Sequence, residues 1–194
     1  MLNDDIEITV RRLTDVADGN QAVLSAARQY ALARGLDAPS GVERFPHSKP
    51  RFVPEGLSFS VSHSGEYWVC GIGAAPLGLD LQRHQPCRTQ AIAKRFFHPS
   101  ETAWLNGQGP DAFFQIWTAK ESYVKYTGEG ITDAFALFST VDPAGRIGSC
   151  GGALLQHLPF RDGYTLCLCT NGKASVILHD PTAVFSSLES PKCK

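Results

Sequence analysis

Residues 111–130, DAFFQIWTAKESYVKYTGEG, repeat apolar side chains at helical spacing through Phe113, Ile116, Trp117 and Val124, which predicts a long helix with one core-facing stripe. Glu121 falls on that stripe, where an unpaired charge is costly, so something cationic must meet it. Lys125, one turn further on, is one candidate and a bound metal is the other. Elsewhere the period changes. Ile6, Ile8 and Val10 alternate with polar residues and predict a strand, followed by a helix over about 20–34 that turns Val23, Ala26, Ala27 and Tyr30 inward and stops at Gly35. The segment 37–54, with four prolines and the basic residues Arg44, Lys49 and Arg51, reads as a surface loop. LSFSVSHSG and EYWVCGIG then predict a hairpin turning near Ser64 and Gly65, and LGLDLQ a further strand over 77–82.

Beyond that strand the pattern is helical over 89–97 and breaks at Pro99. It restarts with Ser100 as N-cap and runs on to Gly128; from Phe135 onward the chain reads mostly as strand. Strand and helix, then strands, then helices, then strands again is the order of an α+β protein of two comparable halves that meet near residues 74–78. The corresponding division is 1–77 and 78–194.

Composition narrows the function classes. A 194-residue chain can bury a real core, and 43% hydrophobic with 19% charged residues is ordinary for a globular protein. A net charge of −1 argues against a general nucleic-acid binder. No apolar run reaches the length of a membrane span, and the N-terminus MLNDDIEITV is acidic where a signal peptide is basic, so a cytoplasmic location is expected. The six cysteines form no CxxC pair; Cys167 and Cys169 share one strand face, and reduced packing thiols are expected, with Cys193 an exposed free thiol.

Two look-alikes do not support the activity their motifs suggest. Gly71-x-Gly73 has Pro76 where a dinucleotide fingerprint needs its third glycine, and Ser62-His63-Ser64 lacks the glycines of a nucleophile elbow. LGLDLQ says more. Alternation sends Leu79 and Leu81 to the core and Gly78, Asp80 and Gln82 to the opposite face, where the missing side chain of Gly78 leaves room for something bulky. Asp80, Glu121 and the Gln82 amide oxygen are hard ligands of the type magnesium takes, alongside water and substrate phosphates.

The ordered blocks KPRF, SVSHSG, GLDLQ, IAKRFF and WTAKESYVKYTGEG resemble the Sfp-type 4′-phosphopantetheinyl transferases, whose signatures read roughly GxDxE and WxxKExxxKxxG. The second is complete as Trp117, Lys120, Glu121, Lys125 and Gly128, and the resemblance runs from about 49 to 130. It implies two similar α/β halves related by a pseudo-twofold axis, with the active site in the cleft between them. The implied activity is that of a transferase of the holo-acyl-carrier-protein synthase type. It moves the phosphopantetheine arm of coenzyme A onto a serine of an acyl- or peptidyl-carrier protein, with magnesium, and releases adenosine 3′,5′-bisphosphate.

By the same resemblance the N-terminal half contacts the coenzyme A nucleotide, and the C-terminal half holds the magnesium and docks the carrier. Asp80 and Glu121, with Gln82 beside them, are the implied magnesium site. Lys125 is the implied coenzyme A phosphate contact, and Lys49, Ser62 and His63 contact the nucleotide and its phosphates. Glu121 and Lys125 are the catalytic pair, Glu121 drawing the proton from the carrier serine. Gln82 stands where many members have a third acid, and Gln21 where an arginine would grip the nucleotide phosphate.

Overall fold

Side-chain alternation accounts for the first strand, β1 (Ile6–Arg12), whose Ile6, Ile8 and Val10 are buried. The computed structural model describes residues 5–46, 48–129 and 133–182, so Cys193 lies outside the described residues. After a single 3-10 turn (Leu13–Asp15), helix α1 (Gly19–Arg34) begins where the Asp18 carboxylate accepts hydrogen bonds from the N–H groups of Asn20 (2.8 Å) and Gln21 (3.2 Å). A cap of this kind contributes about 1 kcal/mol. The helix ends at Gly35, whose φ of 63° suits a residue without Cβ.

The proline-rich segment is not wholly loop, as the spacing suggested. Short strands β2 (Gly41–Glu43) and β3 (Arg51–Val53) pair antiparallel within it, pinned by Arg51 between Glu43 and Glu55. The hairpin follows as expected: β4 (Ser58–Ser64) and β5 (Tyr67–Gly73) turn at Gly65 and Glu66. Next come β6 (Leu77–Arg83), α2 (Thr89–Phe96) and α3 (Pro99–Leu105). The cap of α3 is His98 rather than Ser100, because Pro99 occupies the first helical position, where its missing N–H costs nothing, and Glu101 closes a capping box.

Nor does that helix run through to Gly128. Gly107 at φ 88° and Pro110 end it, and α4 (Ala112–Thr127) starts afresh. Phe135 lies in a 3-10 turn (Asp133–Ala136) ahead of the strands β7 (Ser149–Cys150), β8 (Ala153–Leu158), β9 (Tyr164–Thr170) and β10 (Val176–His179).

The fold is α+β and its two halves share a topology. In the first, β1 pairs with β5 and β5 with β4; in the second, β6 pairs with β9 and β9 with β8, each unit running strand, helix, strand, strand. Helix α1 packs its small inner face of Ala22, Val23, Ala26 and Ala27 with Trp68, Cys70 and Ile72 of β5. Leu77, Leu79 and Leu81 of β6 bury against Ile8, Val10 and Val69, which joins the halves through one apolar cluster. Strand β10 returns to lie parallel beside β1.

Where β4 meets β6 the sheets are joined by side chains. The N–H groups of Leu79, Leu81 and Arg83 donate to the hydroxyls of Ser60 (2.9 Å), Ser62 (3.1 Å) and Ser64 (2.9 Å). The carbonyls of Leu77 and Leu79 accept from the ammonium groups of Lys49 and Lys125. Backbone groups that would otherwise be orphaned at two sheet edges are thereby satisfied, while the strands stay a side chain apart. Cys70, Cys150, Cys167 and Cys169 are buried free thiols. No helix among the described residues is long and apolar enough to cross a membrane.

Candidate active site

Helix α4 can approach β6 because residue 78 has no side chain. A Cβ there would lie 1.9 Å from the Ser122 carbonyl oxygen and 2.6 Å from the Tyr126 nitrogen. The space that alternation left beside Gly78 is therefore filled by the backbone of α4 itself, and not by a ligand. This contact brings the helical acid Glu121 and the strand acid Asp80 into one cleft.

Two cavities meet there. The larger, about 590 Å³, lies between the halves and is lined by Val23, Arg44, Lys49, Trp68, Glu121 and Lys125, among others. The smaller, about 320 Å³, is lined by Ser62, His63, Asp80, Gln82, Trp117, Glu121 and Lys125. Glu121 and Lys125 are common to both. All seven residues singled out from the sequence, Lys49, Ser62, His63, Asp80, Gln82, Glu121 and Lys125, thus line one cavity or the other. Strand alternation holds as read: Asp80 and Gln82 share the cleft while Leu79 and Leu81 are in the core.

Their detailed contacts differ from simple ligand-facing groups. Lys125 Nζ donates to Asp80 Oδ1 at 2.7 Å and to the carbonyls of Leu79 (3.2 Å) and Val61 (3.3 Å), so its three donors all have protein partners. Its ion pair is with Asp80. Lys49 bonds the Leu77 carbonyl, and burial pulls its ammonium down to about 8, with the neighbouring Lys125 charge adding to the shift. Ser62 is buried and donates to Asp80 Oδ1 at 2.8 Å. His63 is exposed, and Gln82 Nε2 donates to the Arg83 carbonyl at 3.1 Å.

The two acids are electrostatically stressed. Burial pushes the Glu121 carboxyl up to about 7, the Asp80 charge adds to it, and Lys125 opposes it. Burial also raises Asp80, against the pull of Lys125 and Ser62. Asp80 Oδ2 is buried with no hydrogen-bond partner. An unsatisfied carboxylate oxygen beside a second carboxylate calls for positive charge beyond that of Lys125, which a hard cation could supply. Among the described residues no cluster of three or more His, Cys, Asp or Glu could hold a metal. The groups in the cleft that could hold a cation are the two carboxylates and the Gln82 amide oxygen, with any remaining positions left to water or to a ligand's own phosphates. That composition fits magnesium.

Sequence reasoning missed part of the larger cavity. Trp68 reads as an ordinary strand aromatic and Arg44 as one basic residue of a loop, yet both line it, and Arg44 bonds the Asn20 side chain at 3.0 Å. Gly19 and Val23 of α1, rather than Gln21, are among its walls. The basic residues of the 37–54 loop were the available signal, and only Arg44 and Lys49 reach the cavity. Lys120, the third charged residue of the helical signature, is elsewhere: fully buried, it pairs with Glu101 at 2.9 Å and donates to the Phe138 carbonyl at 2.6 Å.

Residues 76–169 match the family model described as the 4′-phosphopantetheinyl transferase superfamily. The chain is 36% identical over 129 residues to a 4′-phosphopantetheinyl transferase of Bacillus subtilis, an alignment covering 62% of this chain and 55% of that protein. It is 39% identical over 129 residues to 4′-phosphopantetheinyl transferase gsp of Aneurinibacillus migulanus, covering 62% and 53%. With 4′-phosphopantetheinyl transferase Sfp of Bacillus subtilis strain 168 it shares 34% over 85 residues, covering 42% and 38%. The chain thus spans about half the length of the curated relatives it matches. Over the part that carries Asp80, Glu121 and Lys125, this chain resembles the Sfp-type 4′-phosphopantetheinyl transferases.

Proposed function

We propose that the chain is a 4′-phosphopantetheinyl transferase that moves the phosphopantetheine arm of coenzyme A to a serine of an apo-carrier protein and releases adenosine 3′,5′-bisphosphate. One observation carries the reading. Two buried carboxylates, Asp80 and Glu121, meet Lys125 where two cavities join, within the segment that matches the superfamily.

The chemistry follows from the charges. The serine oxygen attacks the phosphorus that bears pantetheine, the bond from that phosphorus to the bridging oxygen breaks, and the nucleotide leaves with that oxygen. The hydroxyl proton goes to Glu121, whose carboxylate stands where the two cavities join. The larger cavity, with Arg44 and Lys49 in its wall and Trp68 as an aromatic surface, suits a phosphorylated nucleotide. Lys125 fixes Asp80 and adds positive charge at the junction. Magnesium, held by Asp80, Glu121 and Gln82, would supply charge neutralisation for the pyrophosphate.

Carrier proteins are usually acidic around the modified serine, and docking is proposed through the segment after Gly128, where Leu137 is 79% exposed. When the acceptor is an acyl carrier, the activity is that of a holo-acyl-carrier-protein synthase. Four buried free thiols fit a reducing compartment such as the cytoplasm.

Intact-mass analysis tests the proposal. With magnesium and coenzyme A, apo-carriers of fatty-acid, polyketide and peptide type are incubated with the folded protein, and one phosphopantetheine addition on at least one of them is expected. Carriers that bind but gain no mass would mark the protein as a non-catalytic carrier-binding module instead.

A further inference from the structure

Within the magnesium-dependent reading just proposed, we infer that Ser62 is a positioning residue for the metal carboxylate, fixing Asp80 so that Oδ2 alone faces the cation. The hydroxyl of Ser62 has one proton to give. Its oxygen already accepts the Leu81 N–H at 3.1 Å, and its proton goes to Asp80 Oδ1 at 2.8 Å. Leu81 is the residue after Asp80, so one side chain ties the strand backbone to the carboxylate that projects from it.

Oδ1 is bound twice over. Lys125 Nζ reaches the same oxygen at 2.7 Å, while Oδ2, itself buried, has no hydrogen-bond partner. A carboxylate facing a lysine with nothing else to hold it can rotate until both oxygens share the ammonium, which would draw Oδ2 away from a cation. Ser62 opposes that rotation, because turning the carboxylate breaks the 2.8 Å bond. Partners of this kind orient a ligand without touching the metal.

Ser62 also sits in the β4 to β6 seam, so a structural role has to be separated from positioning. Ser64 provides the control: its hydroxyl accepts the Arg83 N–H at 2.9 Å in the same seam and reaches no carboxylate.

The experiment uses the intact protein with coenzyme A and no carrier, and titrates manganese(II) as a paramagnetic probe, reading free ion by electron spin resonance. Ser62→Ala should weaken manganese binding about tenfold or more. Ser62→Thr, which keeps the hydroxyl, should bind like the parent, and Ser64→Ala should too. Coenzyme A affinity is measured in EDTA alongside, so that a lost coenzyme contact at Ser62 is read apart from a disturbed metal carboxylate. Equal manganese affinity of the parent and Ser62→Ala overturns the assignment, as does a loss of coenzyme A affinity in EDTA with manganese binding intact, which would make Ser62 a coenzyme contact. If the alanine protein does not fold, Ser62→Cys keeps a side chain of similar shape, slightly larger, with a weaker donor and acceptor, and it must show the same weakened binding. A parent protein that binds no manganese beside coenzyme A overturns the metal reading itself, and is thereby distinguished from failure of the positioning role alone.

Discussion

Gly78→Ala is the sharpest test of how the cleft is built. The added methyl would sit 1.9 Å from the Ser122 oxygen, 2.6 Å from the Tyr126 nitrogen and 3.0 Å from the Ser122 carbonyl carbon. A carbon and a carbonyl oxygen tolerate about 3.3 Å, so α4 must retreat by about 1.4 Å. All three obstacles are backbone atoms, and no rotamer change can relieve them. Overpacking of this kind costs about 1–3 kcal/mol, with larger values on record.

The same retreat lengthens the 2.7 Å contact between Lys125 and Asp80 and carries Glu121, next to Ser122, away from the strand. A displacement of about 1 Å can lower a rate about 10²-fold. The assay is urea denaturation together with single-turnover transfer at saturating coenzyme A. Gly73→Ala serves as the comparison, because the nearest atoms to its added methyl are in the Ile6 and Leu77 side chains, at 3.3 and 3.5 Å, and the Ala75 oxygen at 3.7 Å. If Gly78→Ala matched the parent in both midpoint and rate, α4 would not press on β6 at that point, and the proximity of Glu121 to Asp80 would need another explanation.

Three further outcomes are expected. In EDTA the folded protein keeps a proton on Glu121 up to about pH 7 that the unfolded chain loses near 4.5, so this stabilisation is complete below 4.5 and is lost as pH rises through 7. Thermal midpoints should fall between pH 4.5 and about pH 7, the window of those two pKa values, and Glu121→Gln should flatten the fall while lowering transfer about 10²- to 10⁴-fold; an unchanged slope would assign the titration to another group. Lys120→Met leaves Glu101, fully buried and bonded to Thr140 and the His98 N–H, without its cation, and should cost about 3–5 kcal/mol in urea denaturation. Adding Glu101→Gln should recover part of that, whereas additive losses would contradict a coupled pair. Gln82→Glu should tighten magnesium binding in calorimetry without coenzyme A, and no gain would mean the Gln82 side chain does not face the cation.

The parts of the site written in local periodicity were legible. Alternation in LGLDLQ separated Asp80 from Leu79 and Leu81, and helical spacing exposed Glu121 as an acid on a buried stripe. What depended on distant chain was not. Ser60, Ser62 and Ser64 read as the polar side of a strand, because nothing within β4 announces that β6 lies beside it. The emptiness at Gly78 could be read as space for a ligand until α4 was known to fill it. Helical spacing offers Lys125 as one candidate partner of Glu121, but its ion pair reaches across to Asp80, and Lys120 finds Glu101 in another helix. The break between α3 and α4 was carried by Gly107 and Pro110, two strong punctuators that the surrounding helical pattern outweighed in the reading.

The placement of β10 beside β1 bears on the order of folding. Ile6 pairs with Val176 and Thr9 with His179, so this parallel ladder closes a loop of about 170 residues, and such closure is entropically slow to begin. During synthesis the outer edge of β1 waits for almost all of the described chain to emerge, while the hairpin of β4 and β5 needs only its own few residues. The first sheet can therefore assemble from one side early and acquire its last strand only when the second half of the molecule exists. Completion of the fold on the amino-terminal side becomes a late report that the carboxyl-terminal strands have been made.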